Sequence, residues 1–181
     1  ILKETQSRES DSHREFAASV PKGALPPDDK RMEYIGRSYK IQYEQAAKLV
    51  DLVEKSPNDP IALDALAQAV WQVNTTPWPV EMVGRDEARP RAFALLRRDH
   101  IRGDALGPLC ERISYGLCAE YEPFLREVLE KNPHKEVQAQ SCLALARFLS
   151  NRALRLDLIL KEPGLAREFA DLYGKDYLEG L

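Results

Sequence analysis

The 181-residue chain has no Cys-x-x-Cys pair, glycine-rich phosphate loop, Gly-x-Ser-x-Gly elbow, His-Glu-x-x-His or calcium-loop pattern. The usual local signatures of redox, nucleotide, hydrolase and metalloprotease chemistry are therefore missing. A dominant charge is missing too, since 26 basic residues stand against 29 acidic ones for a net of -3. That balance provides neither a global basic field for nucleic acid nor an acidic solvating tail, so partners must be sought in local patches. Long hydrophobic runs are also absent. The stretch around Leu143 to Leu145 is far short of the roughly 20 apolar residues a membrane helix needs, and membrane insertion is not expected. No signal-like apolar stretch follows Ile1, and without a leading methionine the sequence reads as processed, trimmed or a piece of something longer. Nothing in the residues assigns a compartment.

Cysteine is scarce: Cys110, Cys118 and Cys142 are the three present. Their spacing fits neither zinc nor haem ligation, and an odd count makes a poor disulfide framework. Cys110 and Cys142 fall on the apolar sides of predicted helices, where free cysteine behaves as a small hydrophobe. A reactive thiol or a Cys110 to Cys118 bridge is the alternative. The three histidines are as unpromising as ligands: His13 lies in a polar tail, and His100 and His134 sit at helix corners. No cofactor, metal site or catalytic residue is expected.

What the chain does have is helical periodicity over a composition that is 44% hydrophobic, enough for one continuous core. Residues 1–29 read as a polar segment, a marginal helix followed by a Pro/Gly loop. From Lys30 the pattern changes, and Tyr39, Tyr43, Ala46, Ala47, Val50 and Val53 recur at three- and four-residue steps. That helix ends near Lys55. Pro57 disfavours helical geometry at Ser56, while Asp59 can cap the next helix, with Pro60 at its first position. Ala62, Leu66, Ala69, Val70 and Val73 form the answering face. After the irregular stretch TTPWPVEMVGRDEARP, a second pair uses Ala92, Leu95 and Leu96, then Leu106, Leu109, Cys110 and Ile113, with Asp104 as the expected cap. In a third pair the stripe Tyr121, Phe124, Leu125, Val128 and Leu129 faces Val137, Ser141, Ala144, Leu145 and Phe148. Helix continues past Asn151 towards Leu160. A last helix starts at Pro163, runs through Leu165, Phe169 and Tyr173, and stops at Gly174.

An internal repeat supports the pairing. LVEKSPNDPIALDALAQA and VLEKNPHKEVQAQSCLALA share a Glu-Lys-x-Pro corner, with Pro57 matching Pro133 and Ile61 matching Val137. These corners lie 76 residues apart with the Asp99 to Asp104 corner between them, which gives two units of tetratricopeptide or HEAT size. The expected fold is all-α: stacked antiparallel helical hairpins at about 39–74, 88–116 and 120–152 within one domain, 30–181. They would form a right-handed TPR/HEAT-like array, with terminal helices 153–174 capping it.

Three residues emerge as candidates for contacting a partner. Trp78, held between Pro77 and Pro79, is either a preorganised anchor or a lid folded over the neighbouring hairpin, with the lid the default. Arg85 and Arg91 belong to a run with Arg89, Arg97, Arg98 and Arg102. The run would attract an anionic peptide or nucleic acid, except that Asp86, Glu87 and Asp99 are interspersed and favour ordinary surface charge. Glu120, Glu122, Glu127 and Glu130 lie opposite the Tyr121 stripe and read as a solvated face.

The phrases EKSPNDPIALDALAQAVW, LLRRDHIRGDALGPLCERISY, FLREVLEKNPHKEVQAQSCLALARFL and EFADLYGKDYLEGL, in that order, resemble a region of bacterial redoxin proteins. It is the helical region that precedes the thioredoxin-like domain in planctomycete members related to TlpA-type thiol-disulfide reductases. The likeness covers roughly Tyr43 to Leu181, about three quarters of the chain. It implies an accessory module that positions a redox domain, recruits its substrate or dimerises, in proteins exported to the cell envelope. The family's redox centre would follow the equivalent of GKDYLEGL, and no catalytic residue transfers to this chain. The reading that results is a non-catalytic scaffold for a protein or peptide partner, a thioredoxin-like domain among the candidates. Redox work by the chain's own cysteines is the alternative, and nucleic-acid binding ranks last.

Overall fold

The structure is a computed structural model and describes residues 2–20, 26–74, 88–116, 118 and 120–173. Among the described residues every regular element is helical. The elements are α1 (Leu2–Ser19), α2 (Asp28–Lys55), α3 (Ala62–Asn74), α4 (Ala88–Leu95), a π-helical turn (Leu96–His100), a 3-10 turn (Asp104–Leu106), α5 (Gly107–Ile113), α6 (Tyr121–Lys131), α7 (Lys135–Lys161) and α8 (Pro163–Tyr173). Gly174, expected to stop the last helix, lies outside the described residues, as do the Pro77 to Pro79 corner and the side chain of Val73.

The apolar stripes meet in one core. Ala46, Leu49, Val50 and Val53 of α2 pack with Ala62, Leu66, Ala69 and Val70 of α3, and the cluster runs on through Phe93 and Leu96 to Tyr121, Phe124, Val128, Val137 and Phe148. Its aromatic centre is Phe93, which lies 5.0 Å from Phe124 edge to face and 5.7 Å from Tyr121. α2 with α3 and α6 with α7 are the closely packed pairs. Asp59 caps as expected, its Oδ1 accepting the Ile61 N–H at 3.0 Å.

The second pair departs from the expected hairpin. α4 packs on α2 and α3, whereas α5 packs mainly on α7, so its two members are shared between their neighbours. The turn between them explains the split. Leu96 and Ile101 are both buried although five residues apart, a spacing that a π turn keeps on one face where an α-helix would not. Asp104 makes no capping hydrogen bond, contrary to expectation. It opens a 3-10 turn, and the α-helix starts afresh at Gly107–Pro108, where proline suits the first turn. At Gly107 a Cβ would meet only the amide end of the exposed Gln140 side chain on α7, which is free to swing aside.

The N-terminal segment is a full helix rather than a marginal one, and among its described side chains the buried ones are Thr5 and Ser12, both polar. It is held against α2 by Arg37 to Glu15 at 2.6 Å, Arg8 to Glu44 at 2.8 Å and Lys48 to Glu4 at 3.2 Å. Stacking of Phe16 on Tyr34 at 4.4 Å adds an apolar contact. Hydrophobic periodicity does not register a helix docked this way. At the other end α7 runs unbroken through Asn151, and α8 packs back on it.

Candidate functional site

Of the three residues singled out from the sequence, Trp78 and Arg85 lie outside the described residues. Arg91 projects from α4 onto α2, where it donates to Asp51 at 2.6 Å and to both oxygens of Glu54 at 2.6 and 3.0 Å. The two carboxylates raise its pKa, and Arg91 in turn holds the Glu54 carboxyl below its ordinary range. Its neighbours in the run are also engaged. Arg97 lies 5.7 Å from the ring centres of Phe93 and Phe124 and reaches Glu127 at 2.9 Å, while Arg98 folds onto Asp99 at 2.7 Å. Arg91 and Arg97 thus brace neighbouring helices, while Arg98 pairs with the residue next to it and Arg102 is exposed.

Two of the glutamates read as a solvated face are structural. The side chains of Glu122 and Glu127 are 21% and 23% exposed. Each joins a cation on its own helix to one on another: Glu122 takes Arg126 and Arg152, and Glu127 takes Lys131 and Arg97. Lys131 and Arg97 hold the Glu127 carboxyl below its ordinary range. Periodicity assigns these residues a face, but it does not reveal that a neighbouring helix brings cations to that face.

The thiols are free and differ in setting. Cys110 is buried, hydrogen-bonded to Ser141, and pushed up to about 11 by desolvation. Cys142, expected on an apolar face, is exposed. It lies one residue past the inward Ser141, and each helical residue rotates by about 100°. Half-buried Cys118 accepts a hydrogen bond from Nη1 of Arg89 at 2.7 Å, and the same guanidinium lies 3.6 Å from the Glu120 carboxylate. Burial of His100 lowers its pKa, with Asp99 opposing, and its Nε2 is enclosed without a hydrogen-bond partner. Among the described residues, no cluster of three or more His, Cys, Asp or Glu could hold a metal ion. No helix among them is long and apolar enough to cross a membrane. Clefts of about 240 and 380 Å³ open along the α1 and α2 seam, lined by Glu15, Arg37, Arg8 and Glu44, which already pair across it.

The second members of the three pairs, α3, α5 and α7, lie side by side and carry a row of exposed side chains that crosses all three. Trp71 on α3, 42% exposed, lies under the Arg112 guanidinium of α5 at 6.0 Å. Tyr115, just beyond α5 and 61% exposed, lies under Arg147 of α7 at the same distance. Leu143, one turn before Arg147, is 53% exposed. Arg112 and Tyr115 are three residues apart, one turn, so the two stacked pairs form one row. Sequence reading missed this row because it looked for function in loops and charge runs. The available signal was positional: Trp71 follows the inward Val70 directly and so falls off the buried stripe.

No protein family, no curated protein and no solved structure matches this chain.

Proposed function

We propose that this chain is a non-catalytic helical interaction module that docks a protein or peptide on the face formed by α3, α5 and α7. The observation that carries the reading is the exposed row Trp71, Arg112, Tyr115, Arg147 and Leu143. Trp, Tyr and Arg dominate binding energy at protein interfaces, and here they form two ring–guanidinium contacts with both rings exposed. A finer architecture, the right-handed TPR/HEAT-like array capped by α8, draws support from the duplicated Glu-Lys-x-Pro corner. The phrase-level likeness to redoxin proteins supports a thioredoxin-like domain as one partner. A photo-crosslinking residue in place of Tyr115 should join the chain to proteins that also bind it when purified. The same group in place of Arg126, which is exposed on α6, should not. Equal yields from the two positions would reject the face.

A second reading, redox work through the chain's own cysteines, is favoured by the Arg89 to Cys118 contact. It requires Cys118 to be alkylated by iodoacetamide at neutral pH much faster than a free thiol, and Arg89→Leu to abolish the difference. Alkylation no faster than that of free cysteine removes this reading.

A further inference from the structure

We infer that the face accepts an acidic peptide segment, with carboxylates on Arg112 and Arg147 and apolar side chains against Trp71, Tyr115 and Leu143; this rests on the interaction-module reading above. The charge state of the row is the reason. Four arginines that brace the helices are matched to carboxylates: Arg91 to Asp51 and Glu54, Arg97 to Glu127, and Arg126 and Arg152 to Glu122. Arg112, by contrast, has a ring as its partner, and no carboxylate is in ion-pair reach among the described residues. Arg147 has Glu111 at 3.7 Å, beyond hydrogen-bond length, and the Glu111 side chain is 68% exposed. The row therefore holds two guanidinium groups against one loosely held carboxylate.

A guanidinium stacked on an aromatic face keeps its N–H edge pointing outward, the geometry that grips a carboxylate bidentately. The ring also restrains the side chain beforehand, which lowers the entropy lost on binding. Two other occupants fit less well. A second copy of the chain, meeting the same face across a two-fold axis, would bring arginine against arginine. Nucleic acid gains affinity by neutralising many phosphates, and this face offers two guanidinium groups, one of them near Glu111, in a chain of net charge -3.

The test measures fluorescence anisotropy on the full chain with three labelled probes: a short peptide of interleaved Glu, Leu and Phe, its Gln-for-Glu counterpart, and oligo-dT. The acidic peptide should bind about tenfold more tightly than the Gln peptide, with affinity falling as salt rises. Arg112→Gln with Arg147→Gln should erase that tenfold preference, whereas Arg126→Gln should keep it, each variant having an unchanged helical circular dichroism spectrum. Equal affinity for the Glu and Gln peptides, no binding of the Glu peptide, or its displacement by oligo-dT would each overturn the inference. Specific crosslinking through position 115 alongside any of those results would leave the module standing and remove only its acidic partner.

Discussion

The two Glu-Lys-x-Pro corners share a wording and differ in almost everything the wording touches. At the first, Ser56 is exposed and closes α2 through its backbone N–H, which reaches Leu52 and Val53 carbonyls at 3.1 Å. Its counterpart Asn132 is 1% exposed. The Asn132 amide donates to the Ile101 and Gly103 carbonyls at 2.9 and 2.7 Å, and its Oδ1 accepts the His134 N–H at 2.9 Å. Asn132 thus pins the third pair to the turn of the second. Five residues beyond Ser56 and Asn132 respectively the contrast continues, with Ile61 57% exposed and Val137 1% exposed. The glutamates differ in the opposite sense: both are exposed, but Glu54 pairs with Arg91 whereas Glu130 has no ion pair among the described residues. The first corner lies at the edge of the core and the second lies against another turn, so one local motif does two tertiary jobs.

The contrast predicts a graded series of stabilities, read by chemical denaturation. Asn132→Ala should cost about 2–4 kcal/mol, because it leaves two enclosed carbonyls without their donor, whereas Ser56→Ala should stay within about 0.5 kcal/mol. Similar losses at the two corners would show that the contrast has no energetic weight. Val137→Ala should cost about 2 kcal/mol against a few tenths for Ile61→Ala. Arg91→Ala should cost at most about 1 kcal/mol, since its pairs are partly exposed and screened by salt, and Glu130→Gln should be neutral.

Acidification acts on the same turns in two stages. Burial holds His100 below its ordinary 6.5, so the unfolded chain takes up that proton before the folded one does. The stability due to neutral His100 is therefore complete above about pH 6.5 and is lost as pH falls below it. A His100→Gln variant should lack this first loss. Glu54 and Glu127 are held below 4.5, so their contribution is full above that value and disappears as pH falls through their lower folded values. If the pH profile of His100→Gln matches that of the parent, the imidazole is not the source of the first stage. The smallest effect concerns reactivity alone: in the native protein Cys142 should react with a thiol reagent promptly and Cys110 only on unfolding. Prompt reaction at Cys110 would mean that α5 does not stay docked on α7.

Much of the helical layout was readable from the residues. The stripes from Ala46 to Val53, Ala62 to Val70, Tyr121 to Val128 and Val137 to Phe148 all turn inward, since three- and four-residue spacing reports a single buried face. The start at Pro163 was equally legible, because Pro in the first helical turn is a local cue. The misses share a cause. α1 is stabilised by charges on α2 instead of by its own apolar face, the π turn depends on which residues must reach the core, and Glu122 and Glu127 are neutralised by cations from other helices. The candidate site was the least legible part, since Arg112 lies on Trp71 only after α3 and α5 have met.

The amino-acid order by itself determined an all-helical chain, where most helices begin and end, and which faces are apolar, because these follow from contacts within a few residues. Tertiary structure alone decided that Asn132 pins one turn to another while Ser56 faces water, and that Trp71, Arg112, Tyr115 and Arg147 form a row. Those outcomes depend on which distant helix arrives alongside, and no local spacing records that.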